Sequence, residues 1–162
     1  MAWVQERGVA ARLVVPGVPT PTVPTAAAAL GVPVDAILKS LVFLVRGAPH
    51  VAIAGGEDRV RYPALAAAWG VTRRQVRMAS PDEALAITGY PVGAMPPFGH
   101  RRALPALVDA RCAQPGRTVY AGGGSRRALL ELETDELLRV LGTAAGFALA
   151  DLTEPPVGGH RS

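Results

Sequence analysis

The apolar and polar positions follow two different patterns along the chain, and together they predict a mixture of strands and helices. Residues 37–45, ILKSLVFLV, are apolar except at Lys39 and Ser40, which is typical of a buried strand, and residues 50–54 predict its partner across a turn at 46–49. Further strands are predicted at residues 11–15, 75–78, 104–109, 118–121, 128–132 and 147–152.

The predicted helices are marked by capping residues at their starts and by glycines at their ends. The clearest start is Ser80, because Pro81 fits the first helical turn and Glu83 completes a capping box. Thr22 and Thr134 are predicted to cap two other helices. Helices are expected near residues 3–8, 24–30, 62–69, 81–88 and 135–141, with Gly31, Gly70, Gly89 and Gly142 just past the ends of the last four.

This order of elements lacks the regular strand and helix alternation of a doubly wound fold, so we predict an α+β domain with one mixed sheet. A chain of 162 residues suits a single domain, which we place at residues 1–152, with a disordered tail at residues 153–162. No run is long enough to span a bilayer and the N-terminus does not resemble a signal peptide, so a soluble, cytoplasmic protein without a membrane partner is expected.

The basic side chains are the main compositional signal. The net charge is +4, the isoelectric point is about 10.0, and Lys39 is the only lysine beside sixteen arginines. The charge favours an anionic partner such as nucleic acid, although arginine enrichment is also typical of a GC-rich genome. Several arginines are adjacent in the sequence, namely Arg73 and Arg74, Arg101 and Arg102, and Arg126 and Arg127.

Familiar catalytic and cofactor motifs are absent from the sequence. There is no P-loop, no G-x-G-x-x-G, no H-E-x-x-H and no G-x-S-x-G nucleophile motif, and Cys112 is the only cysteine. Neither a metal nor a cofactor is therefore expected, and no disulfide can form within the chain.

Three features remain as candidates for chemistry. Lys39 is either a solvated strand residue or, because a merely solvated cation would be arginine in this composition, a compact ammonium in a tight pocket. Residues 89–100, GYPVGAMPPFGH, contain three glycines and three prolines, so they form either a plain turn or a rigid loop that presents backbone N–H groups to a ligand. His100 could be a base, a hydrogen-bond donor or a bystander. Residues 122–127, GGGSRR, are a hairpin turn or a second ligand loop, and Ser125 has no visible base partner.

Three segments then resemble a known family. LGVPVDAILKSLVFLV, TGYPVGAMPPFGHRRALPALVD and VYAGGGSRRALLELETDELLRVLG are similar, in order and spacing, to the YbaK/ProX family of trans-editing aminoacyl-tRNA deacylases, whose domain is also inserted in bacterial prolyl-tRNA synthetases. The similarity runs from about Thr22 to Asp151. It implies a curved mixed sheet, partly closed into a barrel and flanked by helices, and hydrolysis of the ester between a wrong amino acid and the 3′ end of a tRNA.

The resemblance also implies roles for particular residues. Lys39 would be catalytic by binding the substrate electrostatically. Gly93 would be catalytic because its loop presents backbone N–H groups to the substrate. The implied substrate-binding residues are Thr22, Ser40, Ala94, Pro96, Pro97, Phe98, Gly99, His100, Gly122, Gly123, Gly124 and Ser125. The implied tRNA contacts are Arg73, Arg74, Arg101, Arg102, Arg126 and Arg127.

This chain departs from the family at two places on the pocket edge. Some members carry a histidine shortly after the second glycine loop, where this chain has Ser125, Arg126 and Arg127, and GVPTPTV replaces part of their longer N-terminal helix. The expected partners are the acceptor end of a tRNA, with a small amino acid attached to a tRNA such as tRNA-Pro, and an aminoacyl-tRNA synthetase. Two other classes stay open: a non-catalytic module that binds tRNA or protein, and a hydrolase of some other small ester.

Overall fold

The computed structural model describes residues 2–156, which fold into helices and strands mixed along the chain. The helices are α1 (Ala2–Glu6), α2 (Val23–Leu30), α3 (Tyr62–Trp69), α4 (Pro81–Thr88) and α5 (Thr134–Thr143). The strands are β1 (Ala11–Val14), β2 (Leu38–Val45), β3 (Ala48–Gly55), β4 (Arg59–Val60), β5 (Val76–Met78), β6 (Ala106–Asp109), β7 (Thr118–Gly122), β8 (Leu129–Glu133), β9 (Phe147–Ala150) and β10 (Thr153–Glu154). None of the described helices is both long and apolar enough to cross a membrane.

The strands form three sheets in the described residues, where the sequence predicted one. The largest has the order β5-β2-β3-β6-β9 and is mixed, because β3, β6 and β9 run parallel while β5, β2 and β3 run antiparallel. A second, antiparallel sheet has the order β1-β8-β7, and β10 pairs with β4 in the third. The α+β class and the mixed sheet are confirmed, and the single sheet is wrong.

The described residues form no closed barrel, and the expected partial closure is limited to one bridge between two of the sheets. The only bridge that joins β2 to the three-stranded sheet is between Ile37, just before β2, and Tyr120 of β7, where the two segments run parallel. On this side β5 pairs with β2 only from Phe43 onward. The part of β2 around Lys39 and Ser40 therefore forms a ladder only with β3, while β7 lies close on its other side without continuous pairing.

The large sheet separates two parts of the hydrophobic core. One face carries Ile53 and Val108, which pack with β7, β8 and the apolar side of α5, such as Leu137. The other face carries Phe43 and Ala52, which pack against α3. This arrangement is the ordinary consequence of a sheet whose central strands, β3 and β6, are apolar on both faces.

The capping predictions are confirmed at Thr22 and Ser80 and wrong at Thr134. Thr22 and Ser80 each accept a hydrogen bond from a backbone N–H three residues later and complete a capping box. Thr134 is instead the first residue of α5, and its hydroxyl donates to the carbonyl oxygen of Gln114, 2.6 Å away. Gly142, predicted to follow the helix, lies inside it, because α5 continues to Thr143.

The C-terminal segment is ordered further than predicted. Thr153, at the start of the predicted tail, is buried, belongs to β10, and donates from its hydroxyl to Asp109 at 2.5 Å. Its partner strand β4 lies between the predicted strand at residues 50–54 and the predicted helix at residues 62–69, where no strand was predicted. The rest of the predicted tail, from residue 157 onward, lies outside the described residues.

Candidate active site

Lys39 lies on the face of β2 that is directed towards α3. It is paired with Ala54 of β3, and side chains alternate along a strand, so its neighbours on that face are Leu41 and Phe43. The ammonium group donates a hydrogen bond to the backbone carbonyl oxygen of Asp58 at 2.5 Å. Burial lowers the pKa of Lys39 from its usual value, because desolvation disfavours the charged form. Lys39 is therefore a partly buried cation whose ammonium group is anchored by a backbone carbonyl.

Ser40 lies on the opposite face of the same strand. It is paired with Ile53 and is 9% exposed. Its hydroxyl oxygen is the only buried side-chain nitrogen or oxygen in residues 2–156 that has no hydrogen-bond partner. Buried hydroxyl groups are almost always hydrogen-bonded, so this vacancy beside Lys39 needs an explanation.

The first glycine loop, residues 89–100, is held by its own polar groups and by packing. The Nε2 of His100 donates to the carbonyl oxygen of Pro96 at 2.8 Å, and the ring of Phe98 stacks on Trp3 at 5.1 Å. Met95 packs on Val42, which is on the Ser40 face of β2. The loop is therefore a rigid structure seated against that face.

The side chains of this loop are mostly turned inward. Ala94, Pro96, Pro97, Phe98 and His100 are buried, whereas Gly93 is exposed with a φ of +88°. Burial lowers the pKa of His100, so the imidazole is more easily kept neutral, and its bond to Pro96 stabilises the loop. A direct substrate contact by these residues stays a prediction.

The second glycine loop is in contact with the first. The backbone N–H of Gly124 donates to the carbonyl oxygen of Ala94 at 2.9 Å. A Cβ atom at Gly122 would lie 2.1 Å from the carbonyl oxygen of Met95, and one at Gly123 would lie 2.6 Å from that of Ala128. Glycine is required at both positions because backbone fills the space that a side chain would occupy.

The bridge between Ile37 and Tyr120 fixes where the second loop meets β2. Lys39 and Gly122 each follow this parallel bridge by two residues, and β2 and β7 stay close to each other. The structure thus places the open edge of β2, the second glycine loop and the first glycine loop side by side. It does not place the ammonium of Lys39 on the same face of β2 as the two loops.

Thr22 lies close to this region through its neighbour in the chain. Val23 is in contact with Gly56, where a Cβ atom would lie 2.7 Å from Val23 Cγ2, and the N–H of Gly56 donates to Ile37. The hydroxyl of Thr22 itself is engaged in the capping box with Thr25. Thr22 therefore supports the segment before β2, and a substrate contact stays a prediction.

The six arginines that the resemblance implied as tRNA contacts are all exposed. Arg73 lies over the ring of Tyr62 at 4.0 Å and Arg101 donates to the carbonyl oxygen of Ala86 at 3.4 Å, so both are partly fixed. Arg126 and Arg127 follow the second glycine loop directly, and the N–H of Arg127 donates to Ser125 Oγ at 3.4 Å. Arg126 and Arg127 are therefore next to the candidate site because of their position in the sequence.

Two participants were missed by the sequence interpretation. The carbonyl of Asp58 could have been found by counting from the hairpin turn. Arg46 and Gly47 at the centre of this turn set Lys39 opposite Ala54, and Asp58 follows Ala54 by four residues. The contact of Met95 with Gly122 has no sequence signal. In the described part of the chain, no group of three or more histidine, cysteine, aspartate or glutamate residues could hold a metal ion.

Comparison with known proteins identifies the class to which this arrangement belongs. The sequence profile of the aminoacyl-tRNA editing domain matches residues 18–140, and the chain belongs to this family. The resemblance noted from the three segments is thereby confirmed. The matched region contains Lys39 and both glycine loops.

Individual relatives agree with this assignment. The chain is 32% identical over 117 residues, 72% of each sequence, to the uncharacterized protein YwhH of Bacillus subtilis (strain 168). It superimposes with a TM-score of 0.83 on a crystal structure described as that of a proposed trans-editing enzyme for prolyl-tRNA synthetase, with 32% identity and coverage of 94% of this chain and 93% of the other. The hypothetical protein APE2540 gives a TM-score of 0.81, 35% identity and coverage of 94% and 97%.

Proposed function

We propose that this protein hydrolyses the ester bond of mischarged tRNA, as a free-standing aminoacyl-tRNA deacylase acting on a small amino acid attached to a tRNA such as tRNA-Pro. The observation that carries the proposal is the pair of mutually bonded glycine loops at the open edge of the lysine strand, in a member of the editing-domain family. The structure described as a proposed trans-editing enzyme for prolyl-tRNA synthetase supports the substrate class.

The reaction needs no side-chain nucleophile. Water adds to the ester carbonyl carbon, a tetrahedral oxyanion forms, and the C–O bond to the ribose breaks as that oxygen takes up a proton. Ser125 is exposed and neither of the described histidines hydrogen-bonds to it, so residues 2–156 supply no base for an acyl-serine intermediate. An aminoacyl ester is already reactive, and correct positioning of substrate and water supplies much of the rate.

Backbone N–H groups of the glycine loops would stabilise the oxyanion. A single donor of this kind is worth about 10²-fold to 10³-fold in rate when it is held rigidly. Gly93 is exposed and its loop is fixed on both sides by His100 and Gly124, which is the rigidity that such a donor requires. Lys39, anchored at Asp58, would contribute its charge to the phosphate or carbonyl end of the substrate.

Arginines on the surface would hold the tRNA acceptor end. Arg126 and Arg127 extend from the second glycine loop, and Arg101 and Arg102 follow the first. Phosphate contacts of this kind are independent of sequence and weaken with salt. A synthetase could supply the choice of tRNA, because nothing in a set of phosphate contacts reads bases.

The test is to incubate the protein with tRNAs charged with cysteine, alanine, serine, threonine and other small amino acids and to follow loss of the ester. We expect at least one charged tRNA to be hydrolysed faster than in buffer, with a large loss in Lys39→Ala and a smaller one in Lys39→Arg. Arg139→Ala, which removes an exposed arginine paired with Glu136 on α5, serves as the matched control.

The alternatives give different results in the same experiment. A non-catalytic binding module would retain tRNA in a filter-binding assay but leave every ester intact. A hydrolase of other small esters would cleave p-nitrophenyl acetate in a Lys39-dependent manner and ignore charged tRNA. Full activity of Lys39→Arg would show that a compact ammonium is not required.

A further inference from the structure

The hydroxyl group of Ser40 has no hydrogen-bond partner, and the reaction proposed above gives it no role. Its hydroxyl is enclosed on the face of the sheet that carries Val42 of β2 and Ile53 of β3 and that faces Met95 of the first glycine loop. Burying a hydroxyl group without a partner destabilises a fold. If Ser40 served only for packing, alanine at this position would give a more stable protein.

The backbone groups of Ser40 are directed to the side of β2 that lies away from β3. The carbonyl oxygen of Val42 points away from β3, since it accepts a hydrogen bond from the N–H of Ala79 next to β5. Backbone groups alternate in direction along a strand, so the N–H and C=O of Ser40 point to the same side. On that side no described strand forms a ladder with β2 at Ser40, because β5 begins its pairing at Phe43 and the bridge to β7 is at Ile37.

The site therefore offers acceptor oxygens in a region without acidic side chains. Residues 89–100 and 122–127 contain neither aspartate nor glutamate, and the proposed donors for the oxyanion belong to the same two loops. An aminoacyl ester carries, besides its carbonyl, an α-amino group whose ordinary pKa near 8 leaves it largely protonated at pH 7. Such a group requires hydrogen-bond acceptors once it leaves water.

We propose that the hydroxyl and carbonyl oxygens of Ser40 accept hydrogen bonds from the α-ammonium group of the bound aminoacyl ester. Lys39 and Ser40 then contact the substrate from opposite faces of β2. The ammonium group of Lys39 and the α-ammonium group of the substrate are thereby kept apart. The hydroxyl is screened from solvent in the free chain, so the bond forms only when the ligand enters between β2 and the second glycine loop. This inference rests on the proposed function for the identity of the ligand.

The inference is tested with amide-linked analogues that cannot be hydrolysed: 3′-amino-3′-deoxyadenosine acylated with alanine, cysteine or serine, and the matching propionyl compound without an amino group. Binding is measured by calorimetry for the wild type, Ser40→Ala and Ser40→Thr, and the melting temperature of each free protein is recorded. Ser40→Thr keeps a hydroxyl group on the same strand position and serves as the control for packing.

We expect Ser40→Ala to melt at a higher temperature than the wild type and to bind the best aminoacyl probe about 10-fold more weakly, the loss of a hydrogen bond to a charged group. The propionyl compound should bind the wild type and Ser40→Ala equally. Ser40→Thr should retain the preference for the amino group.

Three results would overturn the inference: a lower melting temperature for Ser40→Ala, equal weakening for aminoacyl and propionyl probes, or no binding of any aminoacyl probe to the wild type. Failure of the proposed function is recognised separately. If the wild type prefers probes with an amino group through Ser40 but hydrolyses no charged tRNA, the recognition stands and the deacylase proposal falls.

Discussion

The backbone N–H of Gly124 donates a 2.9 Å hydrogen bond to the carbonyl oxygen of Ala94, and this bond joins two glycine loops that are well separated in the sequence. Beside it, the Cα of Gly122 lies against the carbonyl of Met95 so closely that no side chain fits between them. The two loops thus behave as one rigid unit.

Gly122→Ala should separate the loops. Its Cβ would lie 2.1 Å from the carbonyl oxygen of Met95, and a backbone atom cannot move away cheaply. We expect a loss of about 1–3 kcal/mol in the free energy of unfolding in urea, the usual range for overpacking, together with loss of deacylation. Gly17→Ala is the control, since a Cβ there meets nothing within 4 Å. Equal stability of the two variants would contradict the close contact.

Lys39 should titrate below the ordinary range of lysine. Burial lowers the pKa of its ammonium group because the charged form is desolvated in its partly buried position. Since Lys39 is the only lysine, protein labelled with ¹³C-lysine gives a single Cε signal whose chemical shift can be followed with pH. We expect the midpoint to lie below the pKa of a free lysine side chain, which is about 10.4. A midpoint at or above that value would mean that the ammonium is solvated or paired with a carboxylate.

Arg126 and Arg127 should contribute to tRNA binding through phosphate contacts. Each lost contact lowers the slope of log affinity against log salt by about 0.7 to 0.9, so the double alanine variant should lower it by about 1.5. The matched control removes Arg61 and Arg111, which are equally exposed but lie outside both glycine loops. Identical slopes for the two double variants would indicate that net charge alone, rather than this surface, attracts the tRNA.

Gly142→Ala should stabilise the protein. Gly142 lies within α5, and its added Cβ would meet only Phe147, at an ordinary contact distance of 3.6 Å. Alanine in a helix is favoured over glycine by up to about 1 kcal/mol, which thermal or urea unfolding can resolve. Gly70→Ala should do the opposite, because Gly70 caps α3 with a φ of +68°. Destabilisation by Gly142→Ala would support the sequence-based position of this glycine outside the helix.

Local signals explain why much of the fold was predictable. The capping box at Ser80 and Glu83 and the apolar run around Lys39 depend on neighbouring residues, and both elements form where predicted. Thr134 shows the limit of such signals. Its type suits a cap, but its hydroxyl is drawn to the carbonyl of Gln114, a residue that only the tertiary fold brings near.

The sequence by itself determined that a unique lysine lies in a buried strand and that two glycine-rich loops follow it, because glycine, proline and strand periodicity act over a few residues. Only the tertiary structure decided that Lys39 and Ser40 serve opposite faces, that the hydroxyl of Ser40 has no partner, and that Gly124 bonds to Ala94. These relationships depend on which strands pair and where pairing stops, and strand order is set by packing between distant segments rather than by local preference.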